Sequence, residues 1–216
     1  ERGAVGGGGF SPDQIAEALK GALKEGVQHA VQAASAPGGF LDNFKIRIPF
    51  PEEANEVKWA LEKVGQADKC DEIADICNRS AEQASGEAFD ILTDGVLGMS
   101  LADAKAILMG EQDEATHYMR ETCYDDLAAR FAPVCAAAME ATALTRYWDD
   151  VIGAYNGIPF VPDISFDLDW YVVRKALDGL FTLIGDKEAE IRDNPGASFD
   201  SLVQNVFQWK NDGAPE

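Results

Sequence analysis

The sequence predicts an all-α protein: a single-domain bundle of about eight to ten helices, with an extended crossing segment near the N-terminus and one apolar loop. Three observations lead there. Apolar residues recur at helical spacing, beginning with Ile15, Leu19, Leu23 and Val27. Cap and stop residues bracket these runs, and strand-like alternation is nearly absent. Helix stripes without a sheet to pack on are buried most economically against one another.

Each element follows in order. Ser11-Pro12 reads as an N-cap with proline at the first helical position, and Pro37-Gly38-Gly39 ends that helix. From 40 to 51 the chain reads as extended, with Ile46 and Ile48 alternating about Arg47 before two prolines, and is expected to cross the bundle surface. Helices are expected over 52–64, 67–85 and 87–97, punctuated by Gly65, Gly86 and Gly98. Ser100 with Asp103 forms a capping box for a short helix closed by Gly110. A long helical stretch over 113–152 is expected to bend near Pro133. The apolar loop 153–167 precedes a helix over 167–184, and short helices over 186–193 and 198–210 flank Asn194-Pro195-Gly196. Residues 1–10 read as a Gly-rich leader, 11–210 as the domain and 211–216 as a tail.

Charge narrows the partners. Thirty-eight acidic against 18 basic residues give a formal charge of −20. Such a field repels nucleic-acid phosphates and anionic membrane surfaces, and no Lys/Arg cluster offsets it. Solubility through mutual repulsion is the plain reading; steering of a cationic partner or weak Ca²⁺ contacts is the sharper one. No apolar run approaches the roughly 18 residues a membrane span needs.

A chain that opens on Glu1 and runs into Gly6, Gly7, Gly8 and Gly9 resembles a mature form after signal removal, so secretion is expected. Four cysteines fit an oxidising compartment. Cys70 and Cys77 lie about 10 Å apart by helical rise, too far to bond each other, and Cys123 and Cys135 are likewise separated. Bridges would therefore cross between segments, with Cys70–Cys135 and Cys77–Cys123 favoured; four reduced, packed thiols are the alternative.

Several segments together resemble the bacterial family catalogued as domain of unknown function 4197. They are Arg47-Ile48-Pro49-Phe50-Pro51, Asn78-Arg79-Ser80-Ala81-Glu82-Gln83-Ala84, the stretch 104–110 leading into Ala115-Thr116-His117-Tyr118-Met119-Arg120, and Tyr171-Val172-Val173-Arg174-Lys175-Ala176-Leu177-Asp178-Gly179-Leu180-Phe181 followed by Glu190-Ile191-Arg192-Asp193-Asn194-Pro195. The resemblance covers about 11–210 and implies an all-helical, exported protein; it implies no reaction. Four cysteines, the aromatic loop around Tyr155 and Phe160, and few lysines near the C-terminus mark a divergent, secreted relative.

Catalytic groups are sparse. Of two histidines, His29 and His117, the second forms one Glu-x-x-His unit with Glu114, whereas a di-iron bundle needs two such units and two further glutamates. No zinc spacing or nucleophile elbow is present. Asn78 with Glu82, Arg79 with Gln83, and Lys175 with Asp178 share helix faces and are expected to meet as a polar network, either fixing helix register or forming a ligand-binding cluster. Tyr147, Trp148, Tyr155, Phe160, Phe166, Trp170 and Tyr171 crowd the apolar loop, beside the small residues Ala136, Ala137 and Ala138. Aromatic walls with a few polar anchors are the anatomy of an apolar small-molecule site.

The expected function is therefore an exported, non-enzymatic bundle that binds an apolar ligand, a lipid or a carotenoid-like pigment. The rival reading is an assembly protein whose loop 153–166 mediates homo-oligomerisation. An enzyme running on Lys175, Asp178 and Glu82 ranks third.

Overall fold

The computed structural model describes residues 9–63, 65–157, 159–160 and 163–213. Among them are nine α-helices and no strand: α1 (Pro12–Ser35), α2 (Asn55–Lys63), α3 (Asp68–Ser85), α4 (Ala88–Gly98), α5 (Leu101–Met109), α6 (Glu114–Ala141), α7 (Leu144–Asn156), α8 (Leu168–Asp193) and α9 (Ser201–Asn211), with single 3-10 turns at Glu52–Ala54 and Pro195–Ala197. The all-α class is as expected. Residues 1–8 of the predicted leader, Val64, three positions of the loop (158, 161 and 162) and 214–216 of the tail lie outside the described residues. The chain divides into two compact units, one made of 9–30, 91–123 and 183–213 and the other of 31–90 and 124–182. The boundaries fall inside α1, α4, α6 and α8.

The first unit starts at the predicted cap. Ser11 Oγ accepts from the Gln14 amide at 3.2 Å and the Gln14 side chain accepts from the Ser11 amide at 3.0 Å, a reciprocal capping box. Leu19, Leu23 and Val27 of α1, Leu108 of α5, Met119 of α6, Ile184 and Ile191 of α8 and Phe207 of α9 are buried in its core. A buried ion pair here joins three helices. Glu188 on α8 accepts from the backbone amides of Ala115 and Thr116 at 3.0 and 2.8 Å and from the Thr116 hydroxyl at 2.7 Å. Arg192, one turn on, donates to Glu188 at 2.8 and 2.9 Å and to the carbonyls of Ile107 and Leu108 at 2.9 and 3.1 Å. A carboxylate thus caps the start of α6 and a guanidinium caps the end of α5, each where helix ends leave backbone groups unpaired. At the other end of α5 the expected Ser100–Asp103 capping box is present. Helix α5 is therefore pinned at both termini.

In the second unit the segment 40–51 keeps one side in solvent, and turns, with the Ile46 and Arg47 amides donating to the Asn43 carbonyl, replace the extended backbone expected over 41–46. Phe40, Ile46, Ile48 and Pro51 are buried, while Asp42, Phe44, Lys45, Arg47 and Pro49 face solvent, so the predicted alternation of Ile46 and Ile48 about Arg47 holds and one side of the strap reaches the core. Buried irregular backbone needs partners. Asn78 supplies them at Ile48, accepting from its amide at 2.8 Å and donating to its carbonyl at 2.7 Å. Glu82 accepts from the amides of Phe40 and Leu41 at 3.1 and 3.2 Å, and the Tyr171 hydroxyl donates to the Pro49 carbonyl at 3.0 Å. Phe40 sits against Gly179 of α8, where a Cβ would meet its ring at 2.6 Å, so the strap approaches α8 only because that position lacks a side chain.

Two boundaries differ from expectation. The long stretch breaks not at Pro133 but after Ala141, where Ala143 takes a left-handed φ of 56° and α7 departs from α6 at 78°. Pro133 and Ala129, one turn earlier, are exposed, so the carbonyl that loses its partner is left to water. The expected helices 167–184 and 186–193 are one helix, because Gly185 costs only about 1 kcal/mol of helix propensity and nothing else interrupts the run.

The disulfide expectation is overturned. Cys70, Cys77, Cys123 and Cys135 are buried and none is disulfide-bonded. The register differs from the antiparallel pairing assumed. Cys77 feels Cys135 and not Cys123, which lies against Gly95 and the Ile91 carbonyl. Burial pushes the Cys77 and Cys135 thiols up to about 12. At pH 8 a thiol reagent is expected to leave these two unmodified in the native protein and to count all 4 cysteines after unfolding without reductant; a count of none after unfolding would restore the bridges.

Candidate functional site

Helices α7 and α8 bring together three of the seven predicted aromatic residues. Trp148 contacts Phe50 and Phe166 with ring centroids 5.9 and 5.8 Å apart, and Phe166 contacts Tyr171 at 5.5 Å. The Trp148 indole donates to the Phe166 carbonyl at 3.3 Å. Burial, above all, raises the Tyr171 phenol to about 12. These rings fill one another's space. Tyr155 is buried; Tyr147 is half-buried under the ammonium of Lys69, with its hydroxyl unpartnered. Trp170 is half-exposed, and Phe160 is fully exposed at a φ of 68°. Asn156 closes the loop, accepting from the Ile164 amide and donating to its carbonyl, both at 2.8 Å.

The predicted polar network divides in two. Asn78 and Glu82 are committed to the strap. Arg79 is exposed on the next position of α3, Lys175 lies over the Tyr171 ring at 5.7 Å, and the Asp178 carbonyl accepts from Thr182. His117 is exposed beside Asp113 at 3.3 Å. Among the described residues no three metal-ligating side chains converge.

The sequence of the family described as "Protein of unknown function (DUF4197)" matches residues 9–208. The chain belongs to that family. Neither a curated protein nor a solved structure matches it. In this DUF4197 protein the motifs carrying the resemblance are largely structural: Asn78 and Glu82 hold the strap, Ala115 and Thr116 receive Glu188, and Arg192 caps α5.

A site that the sequence reading missed lies on α5. Its inner face buries Ala104, Ile107 and Leu108. Its outer face, Leu101, Ala102, Lys105, Ala106 and Met109, lines with Pro12 an open cleft of about 730 Å³. Leu101 and Met109 are 50% and 39% exposed there. Nearby Leu97, 64% exposed, lines an adjoining cleft that shares Leu101. A helix apolar all round is ordinarily enclosed on all sides; this one is covered on one. The signal was available, since only Asp103 and Lys105 are polar among the nine residues of α5.

No single helix among the described residues is long and apolar enough to cross a membrane, and α6 with α7 reach that composition together only across their 78° break.

Proposed function

We propose that this protein is an exported, non-enzymatic carrier that holds an uncharged apolar molecule, a neutral lipid or a carotenoid-like pigment, in the cleft on the outer face of α5. The supporting observation is that face: a fixed helix, capped at both ends, with a leucine, a methionine and two alanines turned to solvent around a cleft of about 730 Å³, a size within the usual range for small-molecule sites. The ligand class follows from charge. Among the described residues lining the cleft Lys105 is the one charged group, and a protein of formal charge −20 disfavours an anionic headgroup. The predicted aromatic residues then serve as packing for the second unit. Glu82 and Lys175, named for an enzyme, are engaged with backbone amides and the Tyr171 ring, which favours binding over catalysis.

The test is solvent extraction of natively purified protein, with an absorption spectrum, and titration of the stripped protein with a neutral solvatochromic dye. Leu101→Asp is expected to weaken dye binding about tenfold or more, since burying a leucine is worth about 1.5–3 kcal/mol. Binding unchanged by Leu101→Asp, or an extract without lipid or pigment from a protein that takes up no dye, would overturn the reading. One observation favours assembly as the second reading: Phe160, strained and fully exposed beside a loop base fixed by Asn156. Light scattering decides it, because an oligomer that Phe160→Ser converts to folded monomer would put the loop, and not the cleft, at the centre of function.

A further inference from the structure

Helix α3 carries a second arrangement, one that the fold uses only in part. Glu72, Asp75, Ile76, Arg79 and Gln83 recur three and four residues apart and so share one stripe, which with Ala138 of α6 lines a groove of about 660 Å³ in the second unit. The motif Asn78-Arg79-Ser80-Ala81-Glu82-Gln83 is thereby split. Asn78 and Glu82 turn inward and are saturated by the strap, whereas Arg79 and Gln83 are exposed and have no side-chain partner among the described residues. That is unexpected for an arginine on a surface with a twofold excess of acids. Asp75 stands four residues before it, the spacing at which such pairs form on helices, yet Asp75 is turned to Arg47 at 3.8 Å and Glu72 is bonded to Lys69.

In order along α3 the lining of the groove runs from the acidic Glu72 and Asp75, whose present cations Lys69 and Arg47 a ligand ammonium would join or replace, past Ile76 to Arg79 and Gln83, with Ala138 of α6 beside them. Along the axis Arg79 lies about 6 Å from Asp75 and about 10 Å from Glu72. We infer that this groove binds an ω-amino carboxylate: its ammonium between Glu72 and Asp75, its methylene chain on Ile76 and Ala138, and its carboxylate on the guanidinium fork of Arg79 with the Gln83 amide donating beside it. An α-amino acid is too short to reach both ends, and a six-carbon ω-amino acid spans them when extended. The lysine at the C-terminus of a peptide presents the same pair of groups. Such a ligand carries no net charge, so the acidic field that repels a simple carboxylate leaves it unaffected. This site is independent of the apolar-carrier reading.

The test is titration of the whole protein with 6-aminohexanoate, followed by amide chemical shifts on α3 and by calorimetry. Binding is expected to be about tenfold tighter than that of hexanoate, hexylamine or glycine, and about tenfold weaker in Arg79→Gln, an exposed substitution whose helicity is checked by circular dichroism. Asp75→Asn is expected to weaken 6-aminohexanoate and leave hexanoate unaffected. A peptide ending in lysine, compared with its C-terminal amide, tells the sources apart: binding of the free-acid peptide assigns a protein C-terminus, and binding of 6-aminohexanoate alone assigns a free small molecule. No saturation by about 20 mM ligand, equal affinity for hexanoate, or an unaffected Arg79→Gln variant overturns the inference.

Discussion

Replacing Arg192 with alanine is expected to lower the unfolding free energy by about 3–5 kcal/mol, the usual consequence of removing one partner from a buried ion pair. Arg192 is 3% exposed and Glu188 8%, so the carboxylate left behind has no water to turn to. The substitution also strips the Ile107 and Leu108 carbonyls of their donor. Buried ion pairs are often replaced by apolar residues without loss, but that is not expected here. A Glu188→Leu, Arg192→Met double variant would still orphan the Ala115 and Thr116 amides together with the two carbonyls, and buried unmade bonds are costly. Urea denaturation measures the effect, and faster hydrogen exchange at Ala115 and Thr116 locates it. The exposed pair between Arg130 and Glu87 provides the control: breaking its 3.5 Å contact should cost less than about 1 kcal/mol. A loss of similar size from both pairs would show that the buried group is not the clasp it is argued to be. Because Arg192 also fixes the end of α5, its variant should lose apolar-dye binding along with stability.

Asn78→Ala is the second large effect, about 2–5 kcal/mol. The asparagine is fully buried and answers both the amide and the carbonyl of Ile48 while donating to Ala74, and each orphaned buried group costs about 1–3 kcal/mol. Asn78→Asp should be at least as damaging, because an oxygen would then face the two carbonyls that the amide nitrogen now serves. Thermal unfolding measures both, and limited proteolysis should open the chain first within 40–51. A variant that melts with the parent would mean that the strap is held by side-chain packing alone.

These two clusters also show what the sequence discloses and what it hides. Ser11, Ser100 and Asp103 announce their helix ends because a cap is a local event, legible within four residues. The alternation of Ile46 and Ile48 about Arg47 was likewise local and held, but what the buried side of the strap bonds to is not local, and Asn78 is 30 residues away. Glu188 and Arg192 read as an ordinary helical pair; that they cap α6 and α5 across more than 70 residues is a tertiary fact. Pro133 does not end α6, which runs on to Ala141; it lies on the exposed face, where water can take the carbonyl that loses its partner. The cysteine pairing failed for a related reason: spacing limits which thiols can reach each other but does not say which face of each helix turns inward. Of the seven aromatic residues expected to crowd the loop, Trp148, Phe166 and Tyr171 are in contact, yet clustering is what a core and a pocket have in common, and exposure such as that on the outer face of α5 separates an apolar residue that is covered from one that is not.

The burial of Asn78 has a consequence for how the protein must be made. Asn78-Arg79-Ser80 is an acceptor sequence for N-linked glycan, and sugar is attached to such sequences before the chain has finished folding, when nothing yet conceals the amide. A glycan there would occupy the nitrogen that serves Ile48 and Ala74 and would have to fit where no surface exists. The native fold and a modified Asn78 are therefore mutually exclusive. Production through a glycosylating secretory route should sort the chain into an unmodified, folded fraction and a modified, misfolded one, and a bacterial host avoids the choice.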